Sequence, residues 1–222
     1  MTYTNPNHSQ KQAHPSTAFY RNFFRFAAPA LGLLLLSPCA KLAGKDAQAA
    51  ERTVTVCMTE RPDDVTVQAK MGASRIFRHI GVTVAWHNDA RFCQAHPDQA
   101  IVISYSHHTP KELRPGALAT ALPFEGIHIE IFYDRILDVQ AAVRPADHLG
   151  HVLAHEITHV LQGTARHSDS GLMKAHWDRP ELAQMKDSHY LSFTDLDAQL
   201  IYAGLAARDA AASTVTAANR VE

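Results

Sequence analysis

Between positions 151 and 177 the chain reads HVLAHEITHVLQGTARHSDSGLMKAHW, which holds five of its fifteen histidines. At its centre stands His155-Glu156-Ile157-Thr158-His159, an H-E-x-x-H pattern. On an α-helix, residues i and i+4 lie one turn apart on the same face, so both imidazoles can reach one ion. Zinc accepts histidine nitrogen at about 2.0–2.1 Å, and a zinc site acidifies water toward a pKa of about 7. Glu156, beside the first imidazole, is then the general base that takes the proton. The chemistry this spacing points to is hydrolysis.

Such a site needs a third ligand, and His167 is the expected one, eight residues beyond His159. Gly163 ends the helix, and the following T-A-R-H can fold back toward the ion. Asp169 is the alternative, and Glu181 the candidate if the third ligand is an acid on a later helix. His176 and His151 have weaker claims; His151 could instead hydrogen-bond beside the site. In S-G-L-M, residues 170–173, Gly171 allows a tight turn and Met173 can pack beneath a histidine-lined metal floor. The bland alternative is a helix with two solvated histidines in a histidine-rich chain. The amphipathic pattern around the motif and the helix-ending glycine weigh against it.

These residues resemble the metzincin zinc peptidases, whose pattern is H-E-x-x-H-x-x-G-x-x-H followed by a methionine turn. The resemblance implies that His155, His159 and His167 bind zinc, that Glu156 is the general base and that Met173 is the turn methionine. It also implies a twisted sheet above the active-site helix, with substrate lying antiparallel to an edge strand. The spacing is wider than the family's, whose glycine and third histidine would fall at Gln162 and Ala165. The same stretch is similar to small exported bacterial proteins with an H-S-x-x-G-[IL]-M ending.

The elements that must position these residues are legible around them. The helix is expected over 145–162, with Pro145 and Asp147 suited to its first turn. Leu149, Leu153, Ile157, Val160 and Leu161 make an apolar stripe, and His148, His151, His155 and His159 an imidazole stripe. Upstream, RTVTVCM (52–58), VTVAWH (82–87) and AIVISYS (100–106) read as strands. Pro62 and the Asp63–Asp64 pair open a helix running to about His79, so the first two strands pair in parallel through a right-handed crossover. ALATALP suggests a short edge strand, and 126–136 (GIHIEIFYDRI) a longer one. Loops are expected at 88–99 and 107–116. Downstream, helices are expected at 179–186 and 193–208, with Thr194 and Asp197 as a capping pair, then a disordered tail over 209–222. The fold class is α+β: a small twisted mixed sheet packed on the active-site helix, zincin-like, with a C-terminal helical part.

Length and composition fit one domain. The chain has 222 residues, 46% hydrophobic, with a formal net charge of −1, which points to no nucleic-acid surface. Residues 1–49 read as a leader. Arg21 and Arg25 precede the apolar FAAPALGLLLLS, and an A-x-A site stands at 47–49, the pattern of a secretory signal. The catalytic domain is then 50–208, exported to a periplasm or secreted, with no stable membrane span after signal removal. An uncleaved anchor, or lipidation at Cys39 in LSPC, is the alternative. Cys57 and Cys93 remain in the mature chain and either close one disulfide or stay as buried thiols. The expectation is a monomeric zinc-dependent hydrolase acting on a peptide or protein substrate. The alternatives are a zinc-binding module without turnover and a hydrolase of a non-peptide amide.

Overall fold

Alternating Val, Ile and Thr favour extended chain, and four of the strands formed here run parallel. The computed structural model describes residues 52–58, 60, 62–96, 99–113, 116–122, 127–138, 143–186 and 189–218. The signal and lipidation readings at 1–49 lie outside the described residues. In chain order the elements are β1 (Arg52–Cys57), α1 (Asp64–Arg78), β2 (Val82–His87), α2 (Ala90–Ala95), β3 (Ile101–Ser106), β4 (Ala119–Ala121), β5 (His128–Phe132), α3 (Tyr133–Leu137), α4 (Pro145–Gln162), α5 (Arg179–Lys186) and α6 (Asp195–Ala218).

The strands form one mixed sheet in the order β2-β1-β3-β5-β4. β1, β2, β3 and β5 run parallel, and only β4 is antiparallel, at the edge beside β5. The expected β1–α1–β2 unit is present, with Arg52 opposite Val82 through Cys57 opposite His87. One continuous core unites Val54, Val56, Ile101, Ile103, Ile129 and Ile131 of the strands with Ile76 and Phe77 of α1 and Leu149, Leu153 and Ile157 of α4. α1 and α4 approach closely at Gly150, where an added Cβ would stand 3.0 Å from the Ala69 carbonyl oxygen. That closeness holds the motif-bearing helix rigidly against α1.

The structure departs from the sequence reading in three places. The expected 88–99 loop contains α2, whose first turn is capped by the Asp89 carboxylate accepting from Arg91 N at 2.8 Å. The strand expected to Ile136 stops at Phe132 and turns into α3. The tail expected to be disordered from Asp209 is instead helical to Ala218, because its Ala-rich composition has high helix propensity. The Thr194–Asp197 capping pair forms as expected: Thr194 N donates to the Asp197 carboxylate at 3.1 Å, and Asp197 N donates to Thr194 Oγ1 at 3.2 Å.

Cys57 at the end of β1 and Cys93 in α2 are joined by a disulfide, with Cα atoms 5.8 Å apart. It closes a loop of sequence separation 36. Loop-closure entropy then contributes about 3–4 kcal/mol. Reduction with dithiothreitol should lower unfolding free energy in urea by that order. No helix among the described residues is long and apolar enough to cross a membrane.

Candidate metal centre

α4 begins at Pro145, whose missing N–H costs nothing in the first turn, and ends at Gly163, which takes φ +62°. The reversal at Gly163 also turns the chain so that the Thr164 carbonyl accepts a hydrogen bond from His159 Nδ1 at 3.0 Å. His155 Nδ1 donates to the Leu172 carbonyl at 2.9 Å. Each imidazole is therefore pinned as the Nδ1–H tautomer, with the Nε2 lone pair turned inward. The two Nε2 atoms lie 3.0 Å apart. Two lone pairs facing at that distance repel unless a cation lies between them. Tetrahedral zinc with its usual bonds would hold two such nitrogens about 3.3 Å apart, so the pair fits this group.

His167 completes the cluster. Its ring centroid is 4.9 Å from that of His159 and 5.4 Å from that of His155. The three residues each offer one ligand atom, all within 4.8 Å of one another. Burial pushes the His155 imidazole down to about 4, with His159 adding to it, and burial also lowers His159 and His167. All three are neutral near pH 7, so their lone pairs are free without loss of a proton.

The bend that brings His167 back is held by a buried carboxylate. Asp197 is 0% exposed, pairs with Arg166, and accepts from Ser168 Oγ at 2.8 Å and Thr194 Oγ1 at 2.7 Å. Burial pushes its carboxyl up, and the hydrogen bonds from Thr194 and Ser168 outweigh that to leave it below the ordinary range. Arg166 and Ser168 flank His167 directly. Sequence reading recognised Asp197 only as a cap; nothing in the sequence pointed to its grip on a segment 29–31 residues upstream.

The turn at Gly171 positions the first imidazole. Gly171 takes φ +74°, and an added Cβ would stand 2.4 Å from the Ser192 carbonyl oxygen. Leu172 N donates to that same oxygen at 2.9 Å, and the Leu172 carbonyl receives both His155 Nδ1 and Trp177 Nε1. Met173 is fully buried. Gly171→Ala should therefore cost about 1–3 kcal/mol in urea unfolding from the strained backbone. It should also weaken zinc binding about 10- to 100-fold in a competition titration, because the partner of His155 moves.

Glu156 faces a cleft of about 520 Å³. The cleft runs between α4, the β4 edge and the loop 174–177, and His155, His159 and His167 also line it. Burial pushes the Glu156 carboxyl up to about 7. Among the described residues that carboxylate accepts no hydrogen bond. In the β4–β5 pair, Phe132 N donates to Leu118 O at 2.9 Å and Leu122 N to His128 O at 3.1 Å. Pairing alternates along antiparallel strands, so Ala119 and Ala121 turn their N–H and C=O groups away from β5, along the free edge that borders the cleft.

The other candidates lie elsewhere. Glu181 accepts from Lys174 Nζ at 2.9 Å and from Asp178 N at 2.9 Å, so its oxygens are committed. Asp169 is outside the three-residue group. His151 departs from the imidazole stripe. Three residues beyond His148 it has rotated about 60° round the helix, and it bonds Asp147 O through Nδ1 at 2.7 Å and Leu191 N through Nε2 at 3.2 Å. His151 also stacks on Tyr190, which receives Arg75 Nη1 at 3.1 Å.

Fold and site together define a mixed α/β domain carrying a three-histidine group able to hold a metal ion, with a carboxylate beside it. The sequence matches no known protein family, and no curated protein matches it. The chain is similar to the crystal structure of archaemetzincin from Methanopyrus kandleri, at a TM-score of 0.43 and 12% identity over 72% of this chain and 98% of that one.

Proposed function

We propose that this chain is an exported zinc-dependent peptidase in which His155, His159 and His167 hold the metal and Glu156 is the general base. The observation that carries the reading is the convergence of three imidazoles beside a carboxylate that has no hydrogen-bond partner among the described residues, on one wall of an open cleft. Zinc, when bound, polarises a carbonyl and makes water acidic enough to lose a proton near neutral pH. Glu156 accepts that proton and returns it to the leaving amine. The backbone of Ala119 and Ala121 holds an extended chain by strand addition, which favours a peptide over a small amide. Lys174 keeps its charge at the cleft wall through Asp178 and Glu181.

Export rests on the leader at 1–49 and on the Cys57–Cys93 disulfide, which belongs to an oxidising compartment. The test is elemental analysis of folded protein purified without chelator, followed by incubation with a mixed peptide pool. One zinc per chain and cleavage that stops with 1,10-phenanthroline support the proposal. Folded protein that takes up no zinc when offered it defeats it.

A further inference from the structure

Resting on the reading of the cleft as a peptide site, we propose that His148 is a specificity residue that selects a long, uncharged amide side chain, glutamine above all, in the substrate. His148 stands on α4 seven residues before His155, which places it two turns, about 10 Å, along the axis. It lines the same cleft, beside Val152, Trp177 and Leu182. Its side chain is nonetheless 4% exposed, and no protein group among the described residues hydrogen-bonds its ring.

That is unusual for a buried imidazole. The three other buried histidines of α4 each have Nδ1 bound to a backbone carbonyl. The Nδ1 of His148 is buried without a partner; Nε2 is not, and the residue lines the cleft. A buried N–H left unpaired costs more than an unpaired lone pair. The favoured tautomer therefore carries its proton on Nε2, as a donor aimed into the cleft. Burial, with His151 adding to it, pushes this imidazole down to about 4, so it is a neutral donor at working pH.

The surroundings choose among acceptors. Val152, Trp177 and Leu182 favour a side chain with an apolar stem. Lys174, which lines the cleft, is already paired with Asp178 and Glu181. A cation already paired and a neutral imidazole offer a substrate carboxylate no free charge, and burying one unpaired is costly. A glutamine side chain supplies a stem, a carbonyl oxygen and no charge.

The test uses the zinc-loaded wild type, His148→Leu and His148→Gln, the last of which retains an N–H donor. The probes are Ala-Ala-Ala-Gln-Ala-Ala, its norleucine counterpart and a peptide library. The expected result is wild-type preference for glutamine at one fixed position from the cleaved bond. His148→Leu should lose that preference by about tenfold, read as the ratio of kcat/KM for the glutamine and norleucine peptides, and His148→Gln should retain it. A preference for Glu, or one that survives in His148→Leu, overturns the proposal. If the wild type cleaves nothing, the peptidase reading fails separately. This inference is then decided by the His148 Nε2–H resonance in the wild type, which also serves if the variants do not fold. A shift with the glutamine peptide and none with the norleucine peptide sustains it; equal responses overturn it.

Discussion

Glu156→Gln should retain one zinc per chain and lose about 10²- to 10⁴-fold in kcat, the range that a positioned general base contributes. The substitution removes the proton acceptor and keeps the shape. Glu156 makes no hydrogen bond to the protein among the described residues, so no part of the fold depends on its charge. The metal should stay because the three imidazoles are oriented by Leu172, Thr164 and the Asp197-anchored loop, not by Glu156. The pH profile supplies a second arm. Burial alone places the carboxyl at about 7, and only its ionised form can accept a proton. Activity should therefore fall as pH drops through the Glu156 pKa, and a bound cation, by favouring the anion, moves that limb below 7. The acid limb should vanish from whatever residual rate Glu156→Gln retains. A variant as active as the wild type would remove Glu156 from the chemistry.

Much of this site is legible in the sequence because two of its parts are local. His155 and His159 meet through helix geometry alone, and the bounds of α4 follow from a proline, a glycine and an apolar stripe between them. The strands of the parallel core follow from runs of Val, Ile and Thr. What escapes is non-local. His151 shares the stripe's approximate spacing, yet a backbone amide 40 residues away claims its second nitrogen. The switch from β5 to α3 at Tyr133 follows no breaker residue. Instead Tyr133 packs against Tyr105 at 4.6 Å and bonds the Asp63 carboxylate, contacts made only once the sheet exists. The β4 edge is three residues of alanine and threonine, with no strong pattern of its own, and its role comes from what lies across the cleft.

The eight residues from His159 to His167 close the cluster because the far end of the loop is fixed. Between Gly163 and His167 the chain has no regular structure, so its length is free provided its far end is fixed. The fixing is done by Ser168: its N donates to the Met173 carbonyl at 2.8 Å and its hydroxyl reaches Asp197. One residue before it, His167 is exposed and contributes nothing to the core. His167→Ala should accordingly leave the metal-free fold as stable as the wild type, within about 0.5 kcal/mol. The difference should appear only with metal. At free zinc 1,000 times the dissociation constant, a ligand that binds only the folded state adds about 4 kcal/mol, and His167→Ala should lose most of that increment and retain no stoichiometric zinc after dialysis. Asp197→Ala makes the contrast, because it removes the buried acceptor shared by Ser168, Thr194 and the half-buried Arg166 and should destabilise the metal-free fold by about 1–3 kcal/mol as well. Thermal melts of the three proteins with and without zinc separate the two cases. A His167→Ala protein whose melting temperature still rises with zinc as the wild type's does would assign the third ligand to another residue.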